Sequence, residues 1–128
     1  MKRVLYFIAF LFCSIVAITA AANCVRASSS VNAEAHQSLL TIARWGMCLL
    51  ETQDEAKVRS IVYPTVMRLD TRFEAKHGTK ATTIAQAAHG ANFVQVYYDL
   101  AKAEHARLPR DHAEICRTLN QRVMSLIK

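Results

Sequence analysis

Residues 52–78 read TQDEAKVRSIVYPTVMRLDTRFEAKHG, and the spacing inside this stretch decides the fold class. Val58, Ile61, Val62, Val66, Leu69 and Phe73 recur at separations of 3, 1, 4, 3 and 4, the signature of one face of an α-helix. Lys57, Arg68, Asp70, Arg72 and Lys76 fall on the other faces. Thr52 and Glu55 stand in T-x-x-E capping-box order, which predicts a helix start near Gln53. Gly78 after His77 supplies a C-terminal stop. Pro64 has no backbone N–H and disfavours helix at Tyr63. A kink is therefore expected there, in a helix that continues, because the apolar stripe stays in phase across it.

Three further segments follow the same rule on either side. Upstream, about Asn32 to Leu50 carries Leu39, Ile42, Ala43, Gly46 and Leu50 on one stripe, with Ser28–Ser30 and Asn32 as cap oxygens and Glu34 in the first turn. Trp45, Cys48 and Leu49 widen that stripe, so the end of this helix is apolar nearly all round and reads as buried. Downstream, a third segment follows Thr79, Thr82 or Thr83 and reaches about Arg107, with Ile84, Ala87, Ala88, Ala91, Val94, Tyr98, Ala101 and His105 as its inward stripe. Gly90 interrupts it at a cost of about 1 kcal/mol against Ala, which predicts close helix packing or a local break. A fourth segment opens on the D-x-x-E order of Asp111 and Glu114 and carries Ile115, Leu119, Val123, Leu126 and Ile127.

These four segments predict an all-α fold, a small four-helix bundle in antiparallel succession. A chain of 128 residues fits one domain, and three Gly and two Pro are too few for the turns of a sandwich or barrel. The N-terminus reads separately. Met1-Lys2-Arg3 is a basic start, Val4 to Ile18 an apolar run, and Thr19 to Ala22 a small-residue cleavage region, the three parts of a secretory signal peptide. The expected organisation is a signal peptide over 1–22 and a single helical domain over 23–128, periplasmic or secreted. Cleavage after Ala27 is the second fit, and an uncleaved anchor the competing reading, since Val4 to Ala22 holds no charge. On that reading alone the chain would touch a membrane, through this segment.

Cysteine parity depends on the cut. Cys13 is lost either way; the early cut leaves Cys24, Cys48 and Cys116, and the late cut leaves only Cys48 and Cys116. Cys48 closes the first helix and Cys116 opens the last. In an antiparallel bundle those two ends meet, so a Cys48–Cys116 disulfide is expected in an oxidising compartment.

No residue set calls for catalysis. G-x-S-x-G is absent, Cys116 beside His112 is committed to the disulfide, and Glu51, Asp54 and Glu55 are explained as helix-start acids. His112-Ala113-Glu114 resembles the H-x-E of zinc deaminases, but no P-C-x-x-C follows. C-x-x-C-H is absent, so no covalent haem is implied, and no motif calls for a metal or another cofactor. The net charge of +6 falls to +4 without Lys2 and Arg3. Its most ordered part is Arg68, Arg72 and Lys76, spaced by four as a positive ridge, and Arg107, Arg110, Arg117 and Arg122 form a second region. Tyr97 and Tyr98 point about 100° apart on a helix, so one of them is expected to face solvent as a partner anchor.

The function expected is that of a non-enzymatic exported helical protein acting by protein–protein binding, of inhibitor, immunity or chaperone type. Arg68, Arg72, Lys76, Tyr97 and Tyr98 are the candidate partner-binding residues. The partner is a protein with an acidic surface or a second copy of this chain, not nucleic acid. The alternative is a metal- or haem-binding bundle that uses some of the five histidines, His36, His77, His89, His105 and His112.

Overall fold

A computed structural model describes residues 29–128. The segment expected to be a signal peptide, both expected cleavage positions, Cys13 and Cys24 lie outside the described residues. Within them the chain forms five α-helices and no strand: α1 over residues 29–50, α2 over Glu55–His77, α3 over Ala81–His89, α4 over Phe93–Ala106 and α5 over Ala113–Leu126. Among the described residues no helix is long and apolar enough to cross a membrane.

Five helices replace the four expected because the third segment divides. Gly90 takes φ 77° and ψ −165°, a positive-φ conformation that favours glycine and ends α3, and its N–H bonds the Gln86 carbonyl at 2.7 Å. After Ala91 and Asn92 a new helix begins in a different phase. The inward stripe read across that break is therefore mostly wrong. Ala87, Ala88, Ala91, Val94 and Tyr98 are exposed, and the buried residues are Ala81, Ala85, Tyr97 and Ala101.

The other stripes lie where periodicity put them. Leu39, Ile42 and Trp45 of α1, Val58, Leu69 and Phe73 of α2, and Leu119 and Val123 of α5 are buried. α2 runs unbroken through Pro64, and Thr65 Oγ1 donates to the Ile61 carbonyl at 2.9 Å beside it. The start signals were read less well. Asp54, not Thr52, caps α2, its carboxylate accepting the Lys57 N–H at 2.8 Å. Ser29, Ser30 and Asn32 lie inside α1, and Ser28 lies outside the described residues. Asp111 likewise stands outside α5, whose N-cap position is His112.

Polar contacts fix how the helices run beside one another. Glu34 at the start of α1 meets Lys76 and His77 at the end of α2, and Gly46 faces Val62, with 3.5 Å between the position of an added Cβ and Val62 Cγ2, so α1 and α2 are antiparallel. Trp45 reaches Asn120, and Cys48 reaches Cys116, which makes α1 and α5 antiparallel as well. His36 meets Tyr97 and Arg44 meets Glu104, so α1 and α4 run parallel. α3 has no cap side chain of its own. Asp70 of α2 replaces it, accepting the Thr82 N–H at 3.0 Å and the Thr82 hydroxyl.

Candidate functional site

The disulfide expected from the sequence is present. Cys48 and Cys116 are bonded across 68 residues, with 5.8 Å between their Cα atoms. A polar cluster stands next to it. Glu51 follows Cys48 in the turn that ends α1, and its Oε1 accepts from His105 Nε2 at 2.7 Å and from His112 Nε2. His105 lies in the last turn of α4 and His112 at the N-cap of α5, and their rings meet edge-on with centroids 5.3 Å apart. His112 Nδ1 also donates, to the Pro109 carbonyl at 2.7 Å. Both ring nitrogens of His112 thus face acceptors, an arrangement that only the doubly protonated imidazolium satisfies.

The electrostatics follow from these contacts. The Pro109 carbonyl first, and then Glu51, raise the His112 pKa above the ordinary imidazole value, with Asp111 adding to the effect. The hydrogen bonds from His112 and then His105 hold the Glu51 carboxyl below its ordinary value. A raised histidine stabilises the fold below its unfolded pKa and loses that contribution as pH rises through the folded one; a depressed carboxylate behaves oppositely. The cluster therefore contributes most between the ordinary values of 4.5 for the carboxylate and 6.5 for the imidazole. In chelator-containing buffer, the Tm difference between wild type and Glu51→Gln should be largest in that window and shrink on both sides. A difference independent of pH from 4 to 8 would show that the charges do not act together.

The remaining histidines also join helices. His77 and Lys76 both bond Glu34, at 2.9 and 3.1 Å. Burial raises the Glu34 pKa, but the Lys76 and His77 contacts outweigh it and hold the group below its ordinary value. His36 Nδ1 shares a hydrogen bond with the Tyr97 hydroxyl, and the His89 ring lies edge-on to both. Tyr97 is buried, and burial raises its pKa.

Of the candidate partner-binding residues, Tyr97 is thus an interior side chain whose hydroxyl is occupied, while its neighbour Tyr98 is exposed. Lys76 is engaged by Glu34. Arg68 and Arg72 are exposed and make no ion pair among the described residues. They line an open shallow depression with Met67, Thr71 and Ile127. Asp70, which interleaves them in sequence, turns away to Thr82. Sequence reasoning missed the apolar half of this face: Met67 is 55% exposed and Tyr63, one turn earlier, 69%. The signal was available, because positions 63 and 67 fall off the buried stripe at a separation of four. A second and larger groove lies between α1 and α5, lined by polar groups that include Gln37, Thr41, Thr118 and Gln121.

Comparison with known proteins finds no matching family model, no similar curated protein and no similar solved structure.

Proposed function

We propose that this chain is a non-enzymatic exported protein, periplasmic or secreted, that acts by binding another protein in the manner of an inhibitor, an immunity protein or a chaperone. Its helices form a small bundle closed by the disulfide, and α2 presents the binding face. The observation that carries this reading is Met67, more than half exposed, lining one open depression with Arg68 and Arg72, with exposed Tyr63 one turn before it. A single exposed apolar side chain is ordinary. Two large ones on successive turns, with guanidinium groups beside Met67 that make no ion pair among the described residues, have the composition of an interface, where Tyr, Met and Arg are enriched.

The partner presents carboxylates to Arg68 and Arg72 around an apolar centre that covers Tyr63 and Met67. The disulfide supports export, since such bonds persist in oxidising compartments. Capture from an extract of the native envelope, run in parallel with wild type and Arg68→Glu/Arg72→Glu, tests the proposal. The expected outcome is a partner retained by wild type and lost from the double variant. Identical captured sets, or none from either protein, would overturn it.

A further inference from the structure

We propose that the connection between α4 and α5 is a proton-operated latch, closed while His112 is an imidazolium and released at Pro109 when that proton leaves. The connection runs from Arg107 to His112. Its ends are anchored, the Leu108 N–H to the His105 carbonyl and the Cys116 N–H to the His112 carbonyl, both at 3.1 Å. Between them Pro109, Arg110 and Asp111 are exposed. Among the described residues the one hydrogen bond these three make is that from His112 Nδ1 to the Pro109 carbonyl. None of them belongs to the docking face on α2, so the two proposals are tested separately.

Proton counting decides when the latch holds. His112 Nδ1 faces the Pro109 carbonyl and Nε2 faces the Glu51 carboxylate, two acceptors that demand two N–H donors. Neutral imidazole has one. His105 makes one ring-nitrogen hydrogen bond among the described residues, to Glu51, and a neutral ring satisfies it. The requirement for a second proton therefore falls on His112. When that proton is lost, the remaining N–H belongs on Nε2, because an ionised carboxylate is the stronger acceptor. Nδ1 then turns a lone pair toward a carbonyl oxygen 2.7 Å away, and the two separate. The Pro109 carbonyl, on an exposed residue, takes water in exchange.

The groups that face His112 set the direction of the switch. Glu51 comes from the turn after α1, His105 from the last turn of α4 and Asp111 from the connection itself. Cys116 of α5 is a disulfide sulfur with no proton to exchange, and Glu114 is taken up by Arg117. The Pro109 carbonyl and then the Glu51 and Asp111 carboxylates favour the imidazolium, while a protonated His105 ring opposes them. The first group prevails, so the latch stays closed through the ordinary imidazole value of 6.5 and opens on the alkaline side of it. Arg110 travels with the freed stretch, so the second basic region changes shape with pH. The disulfide keeps α1 and α5 joined in both states, which confines the change to the connection.

Long-range proton–nitrogen NMR spectra of the oxidised protein, recorded from pH 5 to 9, report the protonation of each His112 ring nitrogen. Wild type should show both nitrogens protonated at the acid end, a midpoint above 6.5 and the Nε2–H tautomer at the alkaline end. The backbone amides of Arg110, Asp111 and His112 should shift with the same midpoint. In Glu51→Gln the midpoint should fall toward the ordinary value and carry the amides with it. In His89→Gln, outside the cluster, both should stay in place. An Nδ1–H tautomer at the alkaline end overturns the proposal. So does a midpoint at or below 6.5, a midpoint that Glu51→Gln leaves unmoved, or connection amides that do not follow the ring. The wild-type spectra alone decide the tautomer and the coupling, whatever the stability of the variants.

Discussion

Replacing Cys48 and Cys116 together by alanine should lower the unfolding free energy by about 4 kcal/mol, the largest effect expected from any covalent change in the domain. The bond closes a loop across 68 residues, and the chain-entropy cost of such a loop in the unfolded state grows only with the logarithm of its length. For a domain of roughly a hundred residues this corresponds to a fall in Tm of about 15 °C or more. The loss is structural as well as entropic. The disulfide joins the end of α1 to the start of α5, where Glu51 meets His112, so its removal also loosens that ion pair. Thermal unfolding of wild type with and without a dithiol reductant provides the measurement. Reduced wild type should melt with the double variant, and a Tm indifferent to reductant would contradict the account.

Trp45→Ala should cost about 3–5 kcal/mol, the usual range for removing a buried tryptophan. Trp45 is only 5% exposed, and its Nε1–H donates to Asn120 Oδ1 at 3.1 Å, so the side chain joins α1 to α5 by packing and by a hydrogen bond. The two contributions separate experimentally. Trp45→Phe retains most of the apolar volume and loses the donor, which is worth about 1 kcal/mol. Asn120→Ala should match that smaller figure, because Asn120 lies at the surface and leaves the indole N–H within reach of water. Chemical denaturation of the three variants gives the values. A Trp45→Ala cost near that of Asn120→Ala would mean that the α1–α5 contact is not a packed one.

What was legible in the sequence follows the chemistry of each segment. In α1, α2 and α5 large aliphatic or aromatic residues mark the buried face, interspersed with Ala35, Ser38 and Thr65, so periodicity alone found Leu39, Ile42, Leu69, Phe73, Leu119 and Val123. The third segment is rich in alanine, which occupies either face at little cost. Its true phase was hidden, and Gly90 then reset it. That is why periodicity places Ala87, Ala88 and Tyr98 inward, whereas Tyr97 is the buried tyrosine. The cap of α2 was ambiguous because Thr52 and Asp54 both offer an oxygen two residues apart. Asp54 is the one positioned to accept from Lys57.

The disulfide could be read because export and helix order left Cys48 and Cys116 few alternatives. The Glu51 cluster could not. Glu51 is 54 residues from His105 and 61 from His112, no local spacing relates them, and each had an adequate local explanation as a helix-end residue. Long-range convergence of this kind depends on the directions of α1, α4 and α5, which polar contacts in the folded chain reveal. The exposed pair Tyr63 and Met67 illustrates the opposite case. It follows from the same periodicity that located the core, applied to the face left over.

The dissociation constant for the captured partner, determined for wild type and Arg68→Glu/Arg72→Glu at low and high salt, tests the α2 docking face most directly. Exposed charges are screened by salt and steer association, so wild-type binding should weaken as salt rises. The double variant should bind at least about tenfold more weakly, a loss of roughly 1.4 kcal/mol. Equal constants for the two proteins, unchanged by salt, would contradict it.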